Sequence, residues 1–242
     1  MKLFIKSFFL SILLIFLVDS ASAQTGAELL IKGNRATLER QYTVAISYYS
    51  EYIKLNPSDF RGYFNRGTTE YNAGMYEEAV KDFTTTLFHN PIYKEAYYYR
   101  GQCYHQQTLY DMAISDYSHV LKTDSFSVPF LKLRSEAYSI SNREMLALAD
   151  LNKAIEVNKL SGDLYKRRAE LKVKLKDVNG ALRDYSSVQK LLPSYKMVHY
   201  IKGNLYLEIL ETEFACEEFE EALDNEVVVA ERNYQENCGI SK

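Results

Sequence analysis

One pattern of residues occurs six times along the chain at intervals of 34 residues, and it strongly limits what the chain can fold into. An alanine recurs at this interval, with a small residue twelve positions before it and a large apolar residue four positions after it. The alanines are Ala45, Ala79, Ala113, Ala147, Ala181 and Ala215. The small residues are Gly33, Gly67, Gly101, Ser135, Ala169 and Gly203, and the large ones are Tyr49, Phe83, Tyr117, Leu151, Tyr185 and Phe219. Such self-similarity is typical of a stacked array of one short structural unit.

Each 34-residue repeat has the pattern of two helices. In residues 60–93, Asp59 is a suitable N-terminal cap for a first helix that runs to about Asn72. Ala73-Gly74 follows as a turn, and the second helix is expected to stop before Asn90-Pro91, because proline disfavours helical geometry in the residue that precedes it. The small residues let the paired helices approach closely, and the large residues fill the space beside them. The sequence therefore predicts an all-α fold of helix-turn-helix repeats.

Two stretches, RGTTEYNAGMYEEAVKDF and RGQCYHQQTLYDMAISDY, resemble the tetratricopeptide repeat family closely. The resemblance covers a repeat domain at residues 24–229, and the later repeats depart further from the family pattern. The six repeats lie near 26–59, 60–93, 94–127, 128–161, 162–195 and 196–229. The resemblance implies a right-handed α-solenoid whose first helices line a concave groove.

The stretch ACEEFEEALDNEVVVAERNYQENC is similar to the closing segment of many exported bacterial repeat proteins. Residues 226–237 are expected to form a final helix that covers the last repeat, and residues 230–242 are predicted to be a C-terminal capping segment. The similarity also implies a disulfide between Cys216 and Cys238, and the alternative is two unrelated thiols. The third cysteine, Cys103, is expected to be a small buried residue and not a nucleophile.

A cation and a carboxylate recur with the same period as the alanines. The cations are Lys32, Arg66, Arg100, Arg134, Arg168 and Lys202, and the matching residues are Tyr48, Asp82, Asp116, Asp150, Asp184 and Glu218. Two antiparallel helices with a turn near the fifteenth position place the seventh position opposite the twenty-third, so the two series should meet. A guanidinium binds a carboxylate through two hydrogen bonds. We predict structural ion pairs for Arg66–Asp82, Arg100–Asp116, Arg134–Asp150 and Arg168–Asp184. The alternatives are pairing with the neighbouring repeat and a cationic ladder for an anionic ligand.

The N-terminal segment has the pattern of a secretory signal peptide. Lys2 and Lys6 precede an apolar run from Phe8 to Val18, and Ala21-Ser22-Ala23 is a suitable cleavage site. We predict a signal peptide at 1–23 and a mature, exported protein that begins near Gln24 and is periplasmic or secreted. The alternative is an uncleaved membrane anchor.

Charge and motifs argue against two classes of function. The net charge is −3, and a mildly acidic chain with interspersed charges is not expected to bind nucleic acid. No G-x-S-x-G, H-E-x-x-H, phosphate-binding glycine loop or C-x-x-C motif occurs, and the four histidines are dispersed. We therefore predict no enzyme activity, no cofactor and no metal site.

The positions that face the groove in the tetratricopeptide repeat family suggest where a partner would bind. In the second and third repeats they predict a partner-binding strip, which consists of Phe64, Thr68, Tyr71, Asn72, Tyr98, Gln102 and His105. Aromatic rings and amides suit an extended or helical peptide. In the fifth repeat the same positions give a charged patch, which consists of Asp163, Lys166, Glu170, Val173 and Lys174. The alternative is a groove that is only solvated, or covered by the tail of the chain.

The family resemblance implies a non-catalytic protein–protein interaction scaffold that binds a peptide or protein partner in its groove. The alternative is a structural or assembly component of a cell-envelope, secretion or motility complex. The family's clamp for C-terminal carboxylates does not carry over, since Leu30 and Glu95 occupy two of its positions, although Asn34 and Asn65 match.

Overall fold

The computed structural model describes residues 25–239, and every regular element within them is an α-helix. The predicted signal peptide at 1–23 and the last residues of the predicted capping segment, 240–242, lie outside the described residues. No helix among the described residues is long and apolar enough to cross a membrane. The all-α fold predicted from the 34-residue period is confirmed.

The helices follow one another in pairs, separated by short turns. The first helices of the pairs are α1 (25–38), α3 (Phe60–Asn72), α5 (Lys94–Gln106), α7 (Val128–Ile140), α9 (Gly162–Lys174) and α11 (Met197–Glu208). The second helices are α2 (Tyr42–Leu55), α4 (Tyr76–His89), α6 (Tyr110–Thr123), α8 (Glu144–Val157), α10 (Val178–Leu191) and α12 (Thr212–Asp224), and α13 (Ala230–Asn237) ends the series.

The chain divides into two compact units, Met1–Val120 and Leu121–Lys242, referred to below as the N-terminal and C-terminal units. Within the N-terminal unit, α3 packs against both α2 and α4, and α5 follows on α4. Within the C-terminal unit, α7 to α13 pack each against the next in chain order. Each unit is therefore a stack of consecutive helix pairs, as in a solenoid.

The small and large residues of the repeat form the contact between paired helices. A side chain added at Gly203 on α11 would come within 2.6 Å of the Phe219 ring on α12. Phe219 itself is fully buried, as are Phe83 and Tyr117 at the same phase. The helices of a pair can approach this closely because one of them carries almost no side chain at the crossing point. This explains why a small residue lies twelve positions before the repeated alanine and a large one four positions after it.

The turn inside each pair places one residue in the left-handed conformation. These residues recur every 34 positions, and they are Arg40, Gly74, Thr108, Asn142, Lys176 and Leu210. At the third repeat the Leu109 amide donates to the Tyr104 carbonyl at 2.8 Å, and the Thr108 amide donates to the His105 carbonyl at 3.0 Å. This is the Schellman arrangement that satisfies the last carbonyls of a helix. The turn geometry is thus preserved even where glycine, which adopts it most readily, is replaced.

Buried or partly buried ion pairs join the two helices of the second to sixth pairs, whereas Tyr48 replaces the acid in the first. Arg100 Nε donates to Asp116 Oδ2 at 2.9 Å and Arg100 Nη2 donates to Oδ1 at 2.7 Å. The same two-bond geometry, with distances of 2.6–2.8 Å, holds for the pairs Arg66–Asp82, Arg134–Asp150 and Arg168–Asp184. The four aspartates are only 3–5% exposed. In the sixth repeat Lys202 and His199 both contact Glu218.

The third nitrogen of the guanidinium, Nη1, hydrogen-bonds to a side chain of the preceding repeat. Arg66 Nη1 donates to Ser50 Oγ at 2.9 Å, and Arg168 Nη1 donates to Asn152 Oδ1 at 2.9 Å. Arg100 Nη1 makes the equivalent bond to Thr84 Oγ1 at 3.1 Å. One arginine therefore ties together three helices, and the charge that an anionic ligand would need is already neutralised by aspartate.

A second buried carboxyl lies beside the first complete ion pair. Glu70 on α3 is 6% exposed, its Oε1 is 3.9 Å from Arg66 Nε, and its Oε2 has no hydrogen-bond partner among the described residues. Burial and the nearby charge of Asp82 raise the pKa of Glu70 to about 7, although Arg66 opposes the shift. Glu70 is therefore largely protonated in the folded protein in mildly acidic solution.

The C-terminal end differs from the predicted helix at 226–237. Helix α13 begins only at Ala230, because Glu226 adopts a left-handed φ of 64° and the Val227 amide donates to the Ala222 carbonyl, which ends α12. Ala230 and Val227 still pack on Phe219 and Ala222, as expected for a cap. A disulfide joins Cys216 on α12 to Cys238, with a Cα–Cα distance of 5.5 Å.

Replacing Asp116 by alanine should lower the free energy of unfolding by about 3–5 kcal/mol, because it leaves the Arg100 guanidinium buried and unpaired. Urea denaturation followed by circular dichroism measures the change. Glu51→Ala, at an exposed position on α2, serves as the matched control and should change stability by less than about 0.5 kcal/mol. The double variant Arg100→Met, Asp116→Leu should recover most of the loss, and equal stability of Asp116→Ala and the parent would contradict a buried pair.

The wild-type protein should lose stability as pH rises from about 4.5 to about 7. The reason is that the Glu70 carboxyl ionises near 4.5 when unfolded and near 7 when folded, so the folded state holds the proton more tightly. Glu70→Gln removes this loss. At pH 8 we expect the variant to be more stable than the parent by about 3 kcal/mol, whereas at pH 4 the two should be nearly equal. Urea titrations at both pH values test this, and a difference that is independent of pH would rule it out.

Candidate partner-binding surfaces on the first helices

Helices α3 and α5 carry the predicted partner-binding strip and contact each other within the N-terminal unit. Phe64, Thr68, Tyr71 and Asn72 lie on α3, and Tyr98, Gln102 and His105 lie on α5. Asn72 is exposed, and the other six residues are each partly buried. The structure thus brings the predicted residues onto two neighbouring helices and leaves part of each accessible.

Phe64 is held in a cluster of aromatic rings. Its ring centroid is 4.8 Å from that of Tyr93 and 5.9 Å from those of Phe83 and Tyr99. Edge-to-face contacts at these distances stabilise aromatic pairs beyond the area that they bury. Phe64 therefore packs the second repeat against the third, and only part of its ring is available to a partner.

Tyr71 and Tyr98 extend the same cluster towards the surface. Tyr71 lies 5.6 Å from Tyr99 between ring centroids, and Tyr98 lies 5.1 Å from Tyr99 at a right angle. The Gln102 side-chain amide donates to the Tyr98 hydroxyl at 3.4 Å. These contacts fix the orientation of both rings before any partner arrives.

The polar side chains of the strip differ in the hydrogen bonds that they make within the protein. The Thr68 hydroxyl donates to the Asn65 carbonyl at 2.9 Å, which leaves its oxygen as an acceptor. The His105 ring contacts Tyr110, and its Nε2 is buried without a hydrogen-bond partner among the described residues. Asn72 and Gln102 therefore supply the accessible amide groups of the strip.

Tyr99 is the residue of this surface that the sequence did not single out. It stacks on Phe83 at 5.7 Å with an interplanar angle of 15° and also contacts Phe64, Tyr71 and Tyr98. The sequence signal was the run of three tyrosines at 97–99, in which Tyr97 is buried and Tyr98 is more exposed. The central ring of the cluster is thus Tyr99, and the predicted residues are arranged around it.

A cleft of about 340 Å³ lies between first helices of the C-terminal unit. Its rim carries both signs of charge and its floor is apolar, and we call it the mixed-charge cleft. Its lining includes Glu136, Ser139 and Ile140 of α7, Ala147 and Leu151 of α8, and Arg167, Glu170, Leu171 and Lys174 of α9. Of the predicted charged patch, Glu170 and Lys174 line the cleft, whereas Asp163, Lys166 and Val173 do not.

Metal binding and nucleophilic cysteine chemistry can each be compared with the described residues. No group of three or more histidine, cysteine, aspartate or glutamate side chains among them could hold a metal ion. Burial raises the pKa of the Cys103 thiol to about 12, so this cysteine is a poor nucleophile. His199 is engaged with Glu218 at 2.9 Å in the ion pair of the sixth repeat.

Comparison with known proteins agrees with this architecture. The model of the tetratricopeptide repeat family matches residues 39–83 and 64–127. Hsp70-Hsp90 organizing protein 3 of Arabidopsis thaliana is 43% identical over 51 residues, which is 21% of this chain and 9% of that protein. The chain therefore spans only a small part of the length of this curated relative.

Solved structures share the fold at low sequence identity. A tetratricopeptide repeat protein from Parabacteroides merdae superposes with a TM-score of 0.70 at 19% identity, and the alignment covers 83% of this chain and 80% of that one. YrrB, described as a tetratricopeptide repeat protein with an unusual peptide-binding site, superposes with a TM-score of 0.63 at 20% identity over 73% of this chain and 91% of its own. The repeated helix pairs, the family match over residues 39–127 and these shared folds lead to one conclusion: the chain has the tetratricopeptide repeat fold.

Proposed function

We propose that this protein is an exported, non-catalytic scaffold that binds a peptide or protein partner along its first helices. Its main contact surface is the partner-binding strip, called the aromatic strip below. The tetratricopeptide repeat fold is that of a protein–protein interaction scaffold. Export and the use of this particular surface are proposed in addition to that general role.

The observation that carries the proposal is the fixed orientation of partly exposed aromatic rings beside accessible amides. Tyr71 and Tyr98 are held by contacts with Tyr99, and Gln102 is hydrogen-bonded to Tyr98. Rigid aromatic side chains supply contact area with little loss of conformational entropy, and they are frequent binding hot spots. The amides of Asn72 and Gln102 can hydrogen-bond to the backbone of an extended peptide. A surface of this kind favours a peptide over a small charged metabolite.

Three further facts support the proposal. YrrB shares the fold and is described as having a peptide-binding site, so the architecture is compatible with peptide recognition. The disulfide between Cys216 and Cys238 is compatible with export, since disulfides persist in oxidising compartments. The signal-like segment at 1–23 supports export from the sequence side.

A photo-crosslinking amino acid placed at Gln102 should capture the partner from an envelope extract of the source organism. The matched control carries the same amino acid at Lys81, an exposed position on the second helix α4. We expect a crosslinked product from the Gln102 position and at least tenfold less product from the Lys81 position. Adding the changes Asn72→Ala and Tyr98→Ala to the Gln102 variant should reduce its product at least fivefold. Phe64 is left intact, because its packing against Tyr93 makes a folding defect the expected result of removing it.

Other outcomes of the crosslinking experiment separate the alternatives. Equal crosslinking from both positions would place the partner away from the strip and contradict the proposal. A partner that copurifies in a fixed ratio and does not exchange with added free partner would support the structural or assembly role in an envelope, secretion or motility complex.

Export predicts a specific mass for the mature chain. Cleavage after Ala23 removes the segment from Met1 and leaves a protein whose first residue is Gln24. Intact-mass spectrometry of the protein purified from its native cells should give the mass of residues 24–242 with two fewer hydrogens for the Cys216–Cys238 disulfide. The mass of the full 242-residue chain would contradict cleavage and favour an uncleaved anchor.

A further inference from the structure

We infer that the mixed-charge cleft of the C-terminal unit is a separate ligand site, which accepts a peptide segment through one basic side chain. The inference deepens the proposed function, since it rests on first helices binding peptide, but it concerns other residues than the aromatic strip.

The floor of the cleft suits the aliphatic part of a lysine or arginine side chain. Ala147, Leu151 and Leu171 are 0%, 3% and 4% exposed, so the floor is the outer side of the packed core. Ile140 at the rim is 45% exposed and adds apolar surface. Long basic side chains bury their methylene groups against such surface while the charged end stays polar. At about 340 Å³, the cleft has room for one long side chain and the adjoining backbone.

The cations at the rim already have anionic partners within the protein. Arg167 contacts Asp163 through Nε at 3.3 Å and Glu136 through Nη1 at 3.3 Å. Lys174 Nζ lies 2.8 Å from Glu144 Oε1 and donates to the Ser139 carbonyl at 3.1 Å. An anionic ligand would have to compete with these carboxylates, so the cleft does not favour one.

Of the two carboxylates that line the cleft, Glu170 has the weaker contact with a cation of the protein. Its nearest cation is Lys166, at 3.9 Å between Nζ and Oε1, which is beyond hydrogen-bonding distance. Lys166 is itself positioned over the Tyr195 ring, with Nζ 4.3 Å from the centroid, so it divides its contacts between this ring and the carboxylate. Glu170 is 54% exposed at its side chain and therefore accessible to a cation from outside.

A second carboxylate occupies the equivalent position one repeat earlier. Glu136 and Glu170 are 34 residues apart, at the ninth position of their repeats, and both line the cleft. Glu136 accepts one hydrogen bond from Arg167 through Oε2, and a carboxylate has acceptor capacity for more. A ligand ammonium or guanidinium between the two glutamates would gain two carboxylate contacts. The N–H groups of Arg167 and Lys174 that remain unused can donate to carbonyl groups of the ligand backbone.

Three peptides that differ in one residue test the charge preference. The probe is acetyl-Gly-Ser-Leu-Lys-Leu-Ser-Gly-amide, and in the two comparison peptides norleucine or glutamate replaces the lysine. Chemical shifts of backbone amides in the ¹⁵N-labelled complete chain report the affinity and the location. We expect the lysine peptide to shift amides of residues 135–140 and 167–174, to bind at least fivefold more tightly than the norleucine peptide, and to bind at least twentyfold more tightly than the glutamate peptide.

Glu170→Gln should weaken binding of the lysine peptide at least fivefold and leave the norleucine peptide unaffected. Glu156→Gln, at an exposed position of α8 outside the cleft lining, is the matched control and should change neither affinity. An unchanged amide spectrum of Glu170→Gln away from the cleft shows that the variant is folded.

Several results would overturn the inference. Equal affinity of the three peptides, or no binding of the lysine peptide at millimolar concentration, excludes a site for a basic side chain. Shifts confined to α3 and α5 would also exclude it, but they would support the aromatic strip. Failure of the cleft is thereby distinguished from failure of the proposed function, which the crosslinking at Gln102 tests independently.

Discussion

The buried arginine–aspartate pair is the interaction on which the rest of this structure depends. In the second, third and fifth repeats, two guanidinium nitrogens bind the aspartate of the same helix pair and the third binds a side chain of the preceding repeat. Desolvating two charges is expensive, and the cost is offset only when geometry and hydrogen bonding are both good. Because the pair is satisfied only at one distance between α3 and α4, or between α9 and α10, it specifies how the first and second helices are offset. Both candidate surfaces use first helices whose positions are set in this way.

The two surfaces differ because their first helices carry different residues at positions that the repeated helix contacts and ion pairs do not fix. In the N-terminal unit, Tyr99 occupies a position on α5 from which one ring reaches four others, and the result is an aromatic surface with fixed rings. In the C-terminal unit the corresponding position on α9 is Arg167, whose guanidinium reaches Asp163 and Glu136 instead. The other rings of the aromatic surface are replaced as well, since Lys132, Ser139 and Lys166 stand at the positions of Phe64, Tyr71 and Tyr98. The helix pairs themselves are unaltered by these differences.

The features that recur at a fixed period could be predicted from the sequence. The helix pairs, the close contact at Gly203 and the pairing of Arg100 with Asp116 each follow from residue types at constant phase. The contact from the arginine to the preceding repeat was not predictable, because Ser50, Thr84 and Asn152 share an oxygen atom but no residue type.

The candidate surfaces were only partly predictable. Phe64 was placed at a groove position by its phase, yet its ring is long enough to reach Tyr93 and pack. Glu136 occupies a groove position of the fourth repeat and was available to the same reasoning, whereas Arg167 lies outside those positions. The start of α13 depended on the backbone of Glu226, and nothing in the residue type required a left-handed conformation there.

The disulfide near the C-terminus has a mechanical consequence. Cys216 lies near the start of α12 and Cys238 directly follows α13, so the bond encloses most of α12 and all of α13 in one covalent loop. A pulling force applied to the chain end passes through the bond to the first turns of α12, where the helix is packed on α11. The final helix then carries none of the load and cannot be peeled away turn by turn. A chain end tethered to another body would therefore transmit tension directly into the sixth repeat, with its short terminal helix still in place.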